Sequence, residues 1–194
     1  MLTKKGSATR LRIVEAAATE IRERGVANVT LDDIGRRSGT GKSQMFHYFP
    51  EGREQLLLAV AQHEADRVIE DQQPYLSELT SWAAWRQWRD VVVERYRRQG
   101  VHCPLGALIT EIGRLTPAAQ EVGRQLLVQW QRQVEIGIEK MQAGGHISRD
   151  VEASAAASAL IAAIQGGVVI LMSTGSSHHL ETALDFCLEH LGAA

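Results

Sequence analysis

Apolar residues recur every three or four positions along most of the chain, and this spacing restricts the fold more than any other feature. The first clear example is Leu11, Val14, Ala18 and Ile21, which would share one face of an α-helix. We find no sustained alternation of β-branched and polar residues, which is the pattern of a half-buried strand. The sequence therefore predicts an all-α protein.

Residues that start and stop helices divide this pattern into nine predicted helices. Thr116-Pro117 is typical of a helix start, because the threonine can cap the helix and proline suits its first turn. The predicted caps are Ser7 or Thr9, Thr30, Ser81, Thr116 and Asp150. The first predicted helix ends at residue 24, and the other eight span 31–38, 42–48, 53–72, 82–98, 105–115, 117–142, 151–173 and 178–191.

The composition is that of a folded, soluble chain. Of the 194 residues, 44% are apolar and 23% are charged, which excludes wholesale disorder. Cys103 and Cys187 are too few for a disulfide framework, which favours a reducing cytoplasm. We find no secretory signal. The most apolar stretch, 155–172, is rich in Ala and Gly and contains Gln165, so we expect no membrane span.

The net charge of −2 is unevenly distributed along the chain. Residues 1–50 hold nine Lys and Arg against five Asp and Glu, a net charge of +4, whereas residues 51–194 carry −6. A basic segment on an acidic body indicates a polyanionic partner, although local excesses of this size are also common on solvated surfaces.

The segment 28–49 contains two short predicted helices joined by a glycine-containing turn at 39–41, which is typical of a helix-turn-helix. Ile34, Met45 and Phe49 are the apolar residues expected to hold the two helices together. The second helix of such a motif enters the major groove of DNA, where lysine can bind guanine, glutamine can bind adenine and a phenyl ring can contact the thymine methyl group. The alternative is a generic three-helix packing unit with polar outer side chains. The residues expected to contact bases or phosphates are Thr30, Thr40, Lys42, Ser43, Gln44, Phe46, His47 and Tyr48.

Residues 9–58 resemble the N-terminal domain of the tetracycline-repressor (TetR) family of bacterial transcription regulators. The resemblance is carried without a gap by IVEAAATEIRERG, by VTLDDIGRRSGTGKSQMFHYF and by the REQLL that follows. Two positions depart from the family pattern, since Phe46 replaces the usual tyrosine of the recognition helix and Gly52 replaces a common lysine. The resemblance implies that Arg53 takes over the phosphate contact of that lysine. The later stretch HCPLGALITEIG is similar to a segment in one subgroup of the family and supports membership of the whole chain.

The resemblance also implies two domains, a DNA-binding domain at 1–50 and a ligand-binding and dimerisation domain at 51–194. Family members typically hold a small-molecule inducer between the middle helices of the second domain, and helical bundles offer such sites in their cores. The tryptophan-rich stretch 82–88 is the candidate wall of this pocket, and plain core packing is the alternative. The candidate ligand-binding residues are Trp82, Trp85, Arg89, Cys103, Trp130, Met141 and Gln165.

The last two predicted helices are expected to form a dimer interface. Small residues in the first of them would let another helix approach closely, and the second carries a stripe of leucines. The resemblance implies that these helices form a four-helix bundle with those of a second copy. The alternative is packing within one chain. The candidate interface residues are Ala159, Ala162, Ala163, Gly166, Leu180, Leu184 and Leu188.

Other chemistries find little support in the sequence. The stretch GTGKS at 39–43 lacks both the earlier glycine and the preceding strand of a phosphate-binding loop. No histidine pair has metal-binding spacing, and no nucleophile with a base is recognisable, so we expect no metal, no cofactor and no enzymatic activity. Cys103 lies beside His102, a setting that could suit a redox-sensing thiol, but a buried structural cysteine near the helix start at Pro104 is the favoured interpretation.

Taken together, these features favour a cytoplasmic homodimer that binds a near-palindromic DNA operator and is released by a small apolar or aromatic ligand. The alternatives are a transcription activator of the same fold and an all-helical small-molecule-binding protein that does not read DNA. The side chains of Lys42 and Gln44 favour DNA binding, because a pure carrier does not need them.

Overall fold

The computed structural model describes residues 3–100, 112 and 116–193. These residues form eight α-helices and two 3-10 turns, with no strand among them, which confirms the all-α prediction. The predicted helix at 105–115 lies outside the described residues except for Ile112, which is buried. The helices are α1 (Lys4–Arg24), α2 (Leu31–Ser38), α3 (Lys42–Tyr48), α4 (Arg53–Glu70), α5 (Trp82–Gln99), α6 (Pro117–Ala143), α7 (Ala153–Thr174) and α8 (His178–Ala193), with 3-10 turns at Val26–Asn28 and Tyr75–Ser77.

Two predicted helix starts were wrong. Helix α1 is capped by Thr3, whose hydroxyl accepts a hydrogen bond from the Gly6 N–H at 3.2 Å, rather than by Ser7 or Thr9. Helix α7 is capped by Glu152 rather than Asp150. In both cases several suitable capping residues lie close together, so composition alone does not choose between them. The predicted caps Thr30, Ser81 and Thr116 are confirmed by their hydrogen bonds to backbone N–H groups.

The chain divides into two compact units. The first unit contains the described residues of Met1–Arg67 and Pro104–Arg124, and the second contains those of Val68–Cys103 and Gln125–Ala194. Helices α4 and α6 therefore each contribute residues to both units.

The core of the first unit holds the helix-turn-helix together. Ile13 and Ala17 of α1 are completely buried, and Ile34, Met45 and Phe49 are buried as predicted. A β-carbon on Gly35 would lie only 2.9 Å from the Thr40 carbonyl oxygen and 3.3 Å from the Met45 side chain. Glycine at this position therefore allows the turn to close against α2.

The core of the second unit is built on tryptophan. Trp85, Trp88 and Trp130 are fully buried, and the rings of Trp85 and Trp88 meet edge to face with centroids 5.6 Å apart. A β-carbon on Gly137 would lie 2.7 Å from the Leu79 side chain and 3.1 Å from the Trp85 ring. The absence of a side chain on this turn of α6 thus lets Leu79 and Trp85 pack directly against the helix backbone.

Helix α7 is the most apolar element of the described chain. Its best 18-residue window has a mean hydropathy of 2.1, and 39% of that window is buried within the chain. By length and composition this helix could cross a membrane, but a core helix of a soluble protein can have the same length and composition. Helix α7 packs along α8, so one of its sides is covered and the other is exposed.

Candidate functional site

The start of α2 is fixed by a reciprocal pair of hydrogen bonds between Thr30 and Asp33. The Thr30 hydroxyl accepts from the Asp33 N–H at 3.2 Å, and the Asp33 carboxylate accepts from the Thr30 N–H at 3.0 Å and from its hydroxyl at 2.6 Å. This is a capping box. Both hydrogen-bond donors of Thr30 are thus used inside the motif, which does not favour the predicted phosphate contact.

The turn between the two helices is tight. Gly39 ends α2 in the left-handed conformation, with φ of 63°, and both Gly39 and Thr40 donate backbone hydrogen bonds to the Gly35 carbonyl. The Thr40 residue is only 4% exposed, and its hydroxyl donates to the Ser38 carbonyl at 3.5 Å. The structure therefore places Thr40 beneath the turn rather than on its outer surface.

Helix α3 presents the predicted base-reading residues to the outside. Lys42, Ser43 and Gln44 occupy its first turn and are exposed, and their side chains form no hydrogen bond or ion pair within the described ranges. Phe46 is 42% exposed, which is unusual for a large apolar side chain and suits contact with a base methyl group. His47 is also exposed and meets the half-buried Tyr48 edge to face at 5.1 Å.

Several arginines of the basic segment are neutralised within the first unit. Glu20 binds Arg24 at 3.1 Å and Arg37 at 2.6 Å. The guanidinium of Arg37 lowers the pKa of the Glu20 carboxyl below its usual range, and burial opposes that shift. Arg24 also pairs with Asp33 at 3.2 Å, and Arg36 pairs with the same carboxylate.

The lowered pKa of Asp33 has a different main cause. The hydrogen bond from the Thr30 hydroxyl is the largest contribution that holds this pKa well below its usual range, and Arg24 adds to it. Both acids therefore stay ionised at neutral pH and hold their arginines. The positive charge of this segment is thus partly structural, and Lys42 is a cation on α3 that these carboxylates leave unpaired.

The structure gives Arg53 a contact that sequence reasoning did not predict. Its guanidinium donates hydrogen bonds to the carbonyl oxygens of Val26 and of Val29, the latter at 3.4 Å. These carbonyls lie at the connection between α1 and α2, so Arg53 ties the start of α4 to that connection. The expected phosphate contact of Arg53 stays a prediction.

A second contact joins α1 to α4 inside the first unit. The Arg22 guanidinium binds one oxygen of the Glu64 carboxylate at 2.5 Å, and Glu64 is almost completely buried. This ion pair fixes the relative position of the two helices, because breaking it would leave the buried charge of Glu64 unpaired.

The predicted ligand-binding residues fall into two groups. Trp85, Trp130 and Met141 are fully buried in the core of the second unit. The buried indole N–H of Trp85 and the buried side-chain N–H₂ of Gln165 have no hydrogen-bond partner within the described part of the chain.

The other predicted ligand-binding residues make contacts at α8 or cannot be placed. Trp82 lies close to Gly192, and Arg89 binds both oxygens of Asp185 at 2.8 Å. Cys103 lies outside the described residues. The structure therefore buries Trp85, Trp130 and Met141 in the core of the second unit and places Trp82 and Arg89 against α8.

Gln72 is a buried residue that sequence reasoning missed. Its carbonyl oxygen accepts hydrogen bonds from the indole N–H of Trp88 at 2.9 Å and from that of Trp130 at 3.1 Å. Gln72 is the last residue of the predicted helix 53–72 and is followed by a second glutamine, so it carries no pattern that would have identified it. Buried indole N–H groups usually find an acceptor, and this expectation is the one signal in the sequence that points to a buried acceptor near the tryptophans.

The predicted dimer-interface residues also separate. Leu180, Leu184 and Leu188 are at most 9% exposed in the single chain, so they pack within the chain rather than outward. On α7, in contrast, Ala159, Ala162 and Gly166 are exposed, and Ala163 is half-buried. Sequence reasoning missed the exposed large apolar residues on the same two helices, which are Val169, Ile170 and Phe186.

No group of three or more metal-ligating side chains occurs within residues 3–100, 112 and 116–193.

Two protein families match the chain. "Bacterial regulatory proteins, tetR family" matches residues 13–60, which include α2 and α3. "Tetracyclin repressor-like, C-terminal domain" matches residues 82–187, more than half of the chain.

Two known proteins with similar sequences are named as HTH-type transcriptional regulators. An uncharacterized HTH-type transcriptional regulator of Mycobacterium tuberculosis is 31% identical over 110 residues, and the match covers 54% of this chain and 53% of the regulator. The chain thus spans about half the length of that relative. An uncharacterized HTH-type transcriptional regulator from Lactococcus lactis is 23% identical over 186 residues, covering 91% of this chain and 90% of that protein.

A solved structure shows the same fold over the full length. The TetR-family transcriptional regulator of Cytophaga hutchinsonii superimposes with a TM-score of 0.85 at 18% identity, covering 100% of both chains. Together with the two family matches, this likeness completes the argument from the capped helices α2 and α3. The chain belongs to the TetR family of DNA-binding helix-turn-helix transcriptional regulators.

Proposed function

We propose that this regulator is a cytoplasmic homodimeric repressor that binds a near-palindromic operator and leaves it when a small molecule binds the second unit. In this proposal residues 1–50 bind DNA, and residues 51–194 bind the effector and form the dimer. The two copies of α3 lie in successive major grooves, about 34–36 Å apart.

The observation that carries the proposal is a continuous exposed apolar stripe on α7. Ala159, Ala162, Gly166 and Val169 recur every three or four residues, and all four are exposed. Val169 is 57% exposed, and Phe186 on the neighbouring α8 is 69% exposed. Exposed apolar residues in such a row usually mark an interface, and the small residues let a second helix approach closely.

The DNA-reading part of the proposal is supported by α3. Lys42 and Gln44 offer hydrogen-bond donors at the start of the helix, and no described carboxylate neutralises them. Lysine suits the acceptor atoms of guanine, and the glutamine amide suits adenine. Ser43 serves either base, and Phe46 adds a contact with a thymine methyl group.

The effector part of the proposal is supported by two unpaired donors. The buried N–H groups of Trp85 and Gln165 find no acceptor among the described residues, and a buried donor without a partner costs about 1–3 kcal/mol. A ligand with an apolar or aromatic body and oxygen acceptors would satisfy such donors. Trp130 is less suited to orient a ligand, because Gln72 already accepts its N–H.

The first experiment selects bound duplexes from a random pool and measures the mass of the free protein by light scattering. We expect two half-sites in an inverted repeat and twice the mass of one chain. The variant Ala162→Glu places a charge in the exposed stripe and should give the mass of one chain with weakened operator binding. Ala83→Glu changes an exposed alanine on α5 and should leave both properties unchanged. A wild-type protein with the mass of one chain would contradict the dimer.

The second experiment tests the direction of regulation and the effector. A reporter promoter that overlaps the selected operator should lose transcription when the protein is present, and increased transcription would indicate an activator. Small aromatic compounds with oxygen acceptors are then screened for release of the duplex. Trp85→Phe keeps an aromatic ring and removes its N–H, so it should weaken the response to an active compound and leave operator binding intact.

A further inference from the structure

Gln72 lies two residues after the end of α4 and connects three parts of the second unit. It is 1% exposed. Its carbonyl oxygen accepts from Trp88 on α5 and Trp130 on α6, at 2.9 and 3.1 Å. Its N–H₂ group donates to the Val68 carbonyl in the last turns of α4 at 2.6 Å. One side chain thus links the end of α4 to both neighbouring helices.

The chemistry of these three bonds requires a carboxamide. Both lone pairs of the carbonyl oxygen are used by indole donors, while the nitrogen supplies the donor for Val68. A carboxylate would lack that donor, and an apolar side chain would leave two indole N–H groups buried without an acceptor. Because the surroundings are apolar, these bonds hold their geometry more firmly than they would in water.

The preceding residue strengthens this connection. Asp71 accepts a hydrogen bond from the guanidinium of Arg95 at 3.1 Å, and Arg95 is largely buried. Trp88 and Arg95 are seven positions apart on α5, so they lie on the same face of that helix two turns from each other. The end of α4 is therefore held at two neighbouring points against one face of α5.

The other end of the same helix belongs to the first unit, which contains the helix-turn-helix. There, Arg53 contacts the carbonyls of Val26 and Val29, and Glu64 contacts Arg22. We infer that Gln72 is a positioning residue for operator binding: its carboxamide sets the position of the end of α4 through Trp88 and Trp130, so that a displacement of either indole changes operator affinity. This inference rests on the proposed function. It assigns the link between the second unit and operator binding to one buried amide.

The variant Gln72→Met tests this inference, because methionine has a similar shape and neither donates nor accepts as an amide does. Gln73→Met is the matched control, since Gln73 is the adjacent glutamine, bonds to Gln133 and Ser77, and does not contact an indole. Operator affinity is measured by fluorescence anisotropy at one fixed salt concentration, after circular dichroism shows that each variant is folded. We expect the operator Kd of Gln72→Met to change by fivefold or more and that of Gln73→Met by less than twofold. A change below fivefold in folded Gln72→Met overturns the inference.

A measurement on the wild-type protein keeps the inference testable if Gln72→Met does not fold. Coupling is reciprocal, so operator binding must also change the environment of the two indoles. The indole N–H resonances are recorded in protein with ¹⁵N-labelled tryptophan and assigned with single Trp→Phe variants. On addition of the selected duplex, the Trp88 and Trp130 resonances should shift more than that of Trp82, which lies against Gly192. Equal shifts for all three residues, or none, overturn the inference.

The proposed function and the role of Gln72 can fail separately. A wild-type protein that selects no duplex overturns the proposed function itself. An unchanged affinity of Gln72→Met for a duplex that the wild type binds overturns only the role of Gln72.

Discussion

The α-carbon of Leu180 lies 2.5 Å from the point where a β-carbon on Gly167 would stand, closer than real β-carbons approach other atoms. Helices α7 and α8 therefore meet backbone to backbone at this point. A β-carbon on the adjacent Gly166 would meet no atom of another described helix within 4 Å. Two neighbouring glycines in one helix thus have opposite surroundings.

Alanine at these two positions should have opposite effects on stability. Gly167→Ala should lower the free energy of unfolding by ~1–3 kcal/mol, because α7 and α8 must move apart. Gly166→Ala should raise it by about 0.5–1 kcal/mol, because alanine favours the helix. Urea unfolding measures both changes. Since Gly166 lies in the proposed interface, both are made in the Ala162→Glu background. Equal effects of the two substitutions would contradict the packing of α7 on α8.

Thr30→Ala should destabilise the helix-turn-helix, because it removes the hydroxyl from the capping box with Asp33. Loss of such a cap costs about 1 kcal/mol, within a range of roughly 0.5–2 kcal/mol. Thr182→Ala is the control, since Thr182 is exposed in the interior of α8. Unfolding in denaturant should show a lower midpoint for Thr30→Ala alone. A similar loss in both variants would indicate that the cap contributes nothing specific.

Gln44→Ala should relax the base preference at one position of each half-site by about 1–3 kcal/mol, because the amide can no longer read the base edge. Competition binding against duplexes with single base-pair changes measures this preference. Gln129→Ala, at an exposed position on α6, should leave every preference unchanged. Undiminished discrimination by Gln44→Ala would remove Gln44 from the set of base readers.

Stability should fall in acid as Glu20 and Asp33 become protonated. Arg37 lowers the pKa of Glu20, and the Thr30 hydroxyl lowers that of Asp33, so each carboxylate binds protons more weakly in the folded chain than in the unfolded chain. Their contribution is therefore fully present above the ordinary carboxyl pKa of about 4 and is lost as the pH falls toward the lowered values.

Urea unfolding between pH 3 and pH 7 measures this dependence. Glu20→Gln should flatten the acid limb, because it removes one of the carboxyl groups whose pKa is lowered in the folded chain. Glu189→Gln is the control, since Glu189 is exposed on α8. An acid limb of unchanged slope in Glu20→Gln would assign the dependence to other carboxyl groups.

The bounds of α2 and α3 could be predicted from the sequence because local residues define them. Thr30 caps α2, Gly39 ends it, and the predicted bounds 31–38 and 42–48 are those of the structure. The start of α1 was wrong because three suitable capping residues lie within seven positions, and only the folded backbone chooses among them.

The contacts of the second unit could not be predicted in the same way. Periodicity places Trp88 and Trp130 on helices, but their common acceptor Gln72 is 16 and 58 residues away in sequence. Such bonds depend on how the helices pack. In the same way, a leucine stripe that includes Leu184 shows that one face of α8 is buried but not what covers it, and the structure shows that its own chain does.

The ion pairs formed by carboxylates inside the first unit affect how mutations of its basic residues should be interpreted. Alanine at Arg24, Arg36 or Arg37 removes a cation from Glu20 or Asp33 inside the first unit, so it should lower the stability of the folded helix-turn-helix. Under the proposed function, alanine at Lys42 should leave the motif folded and weaken only DNA binding. A genetic screen that measures only the loss of repression would give the same result for all four alanine variants. Measuring the amount of protein in the cell as well would distinguish variants that fold poorly from a variant that only binds DNA less tightly.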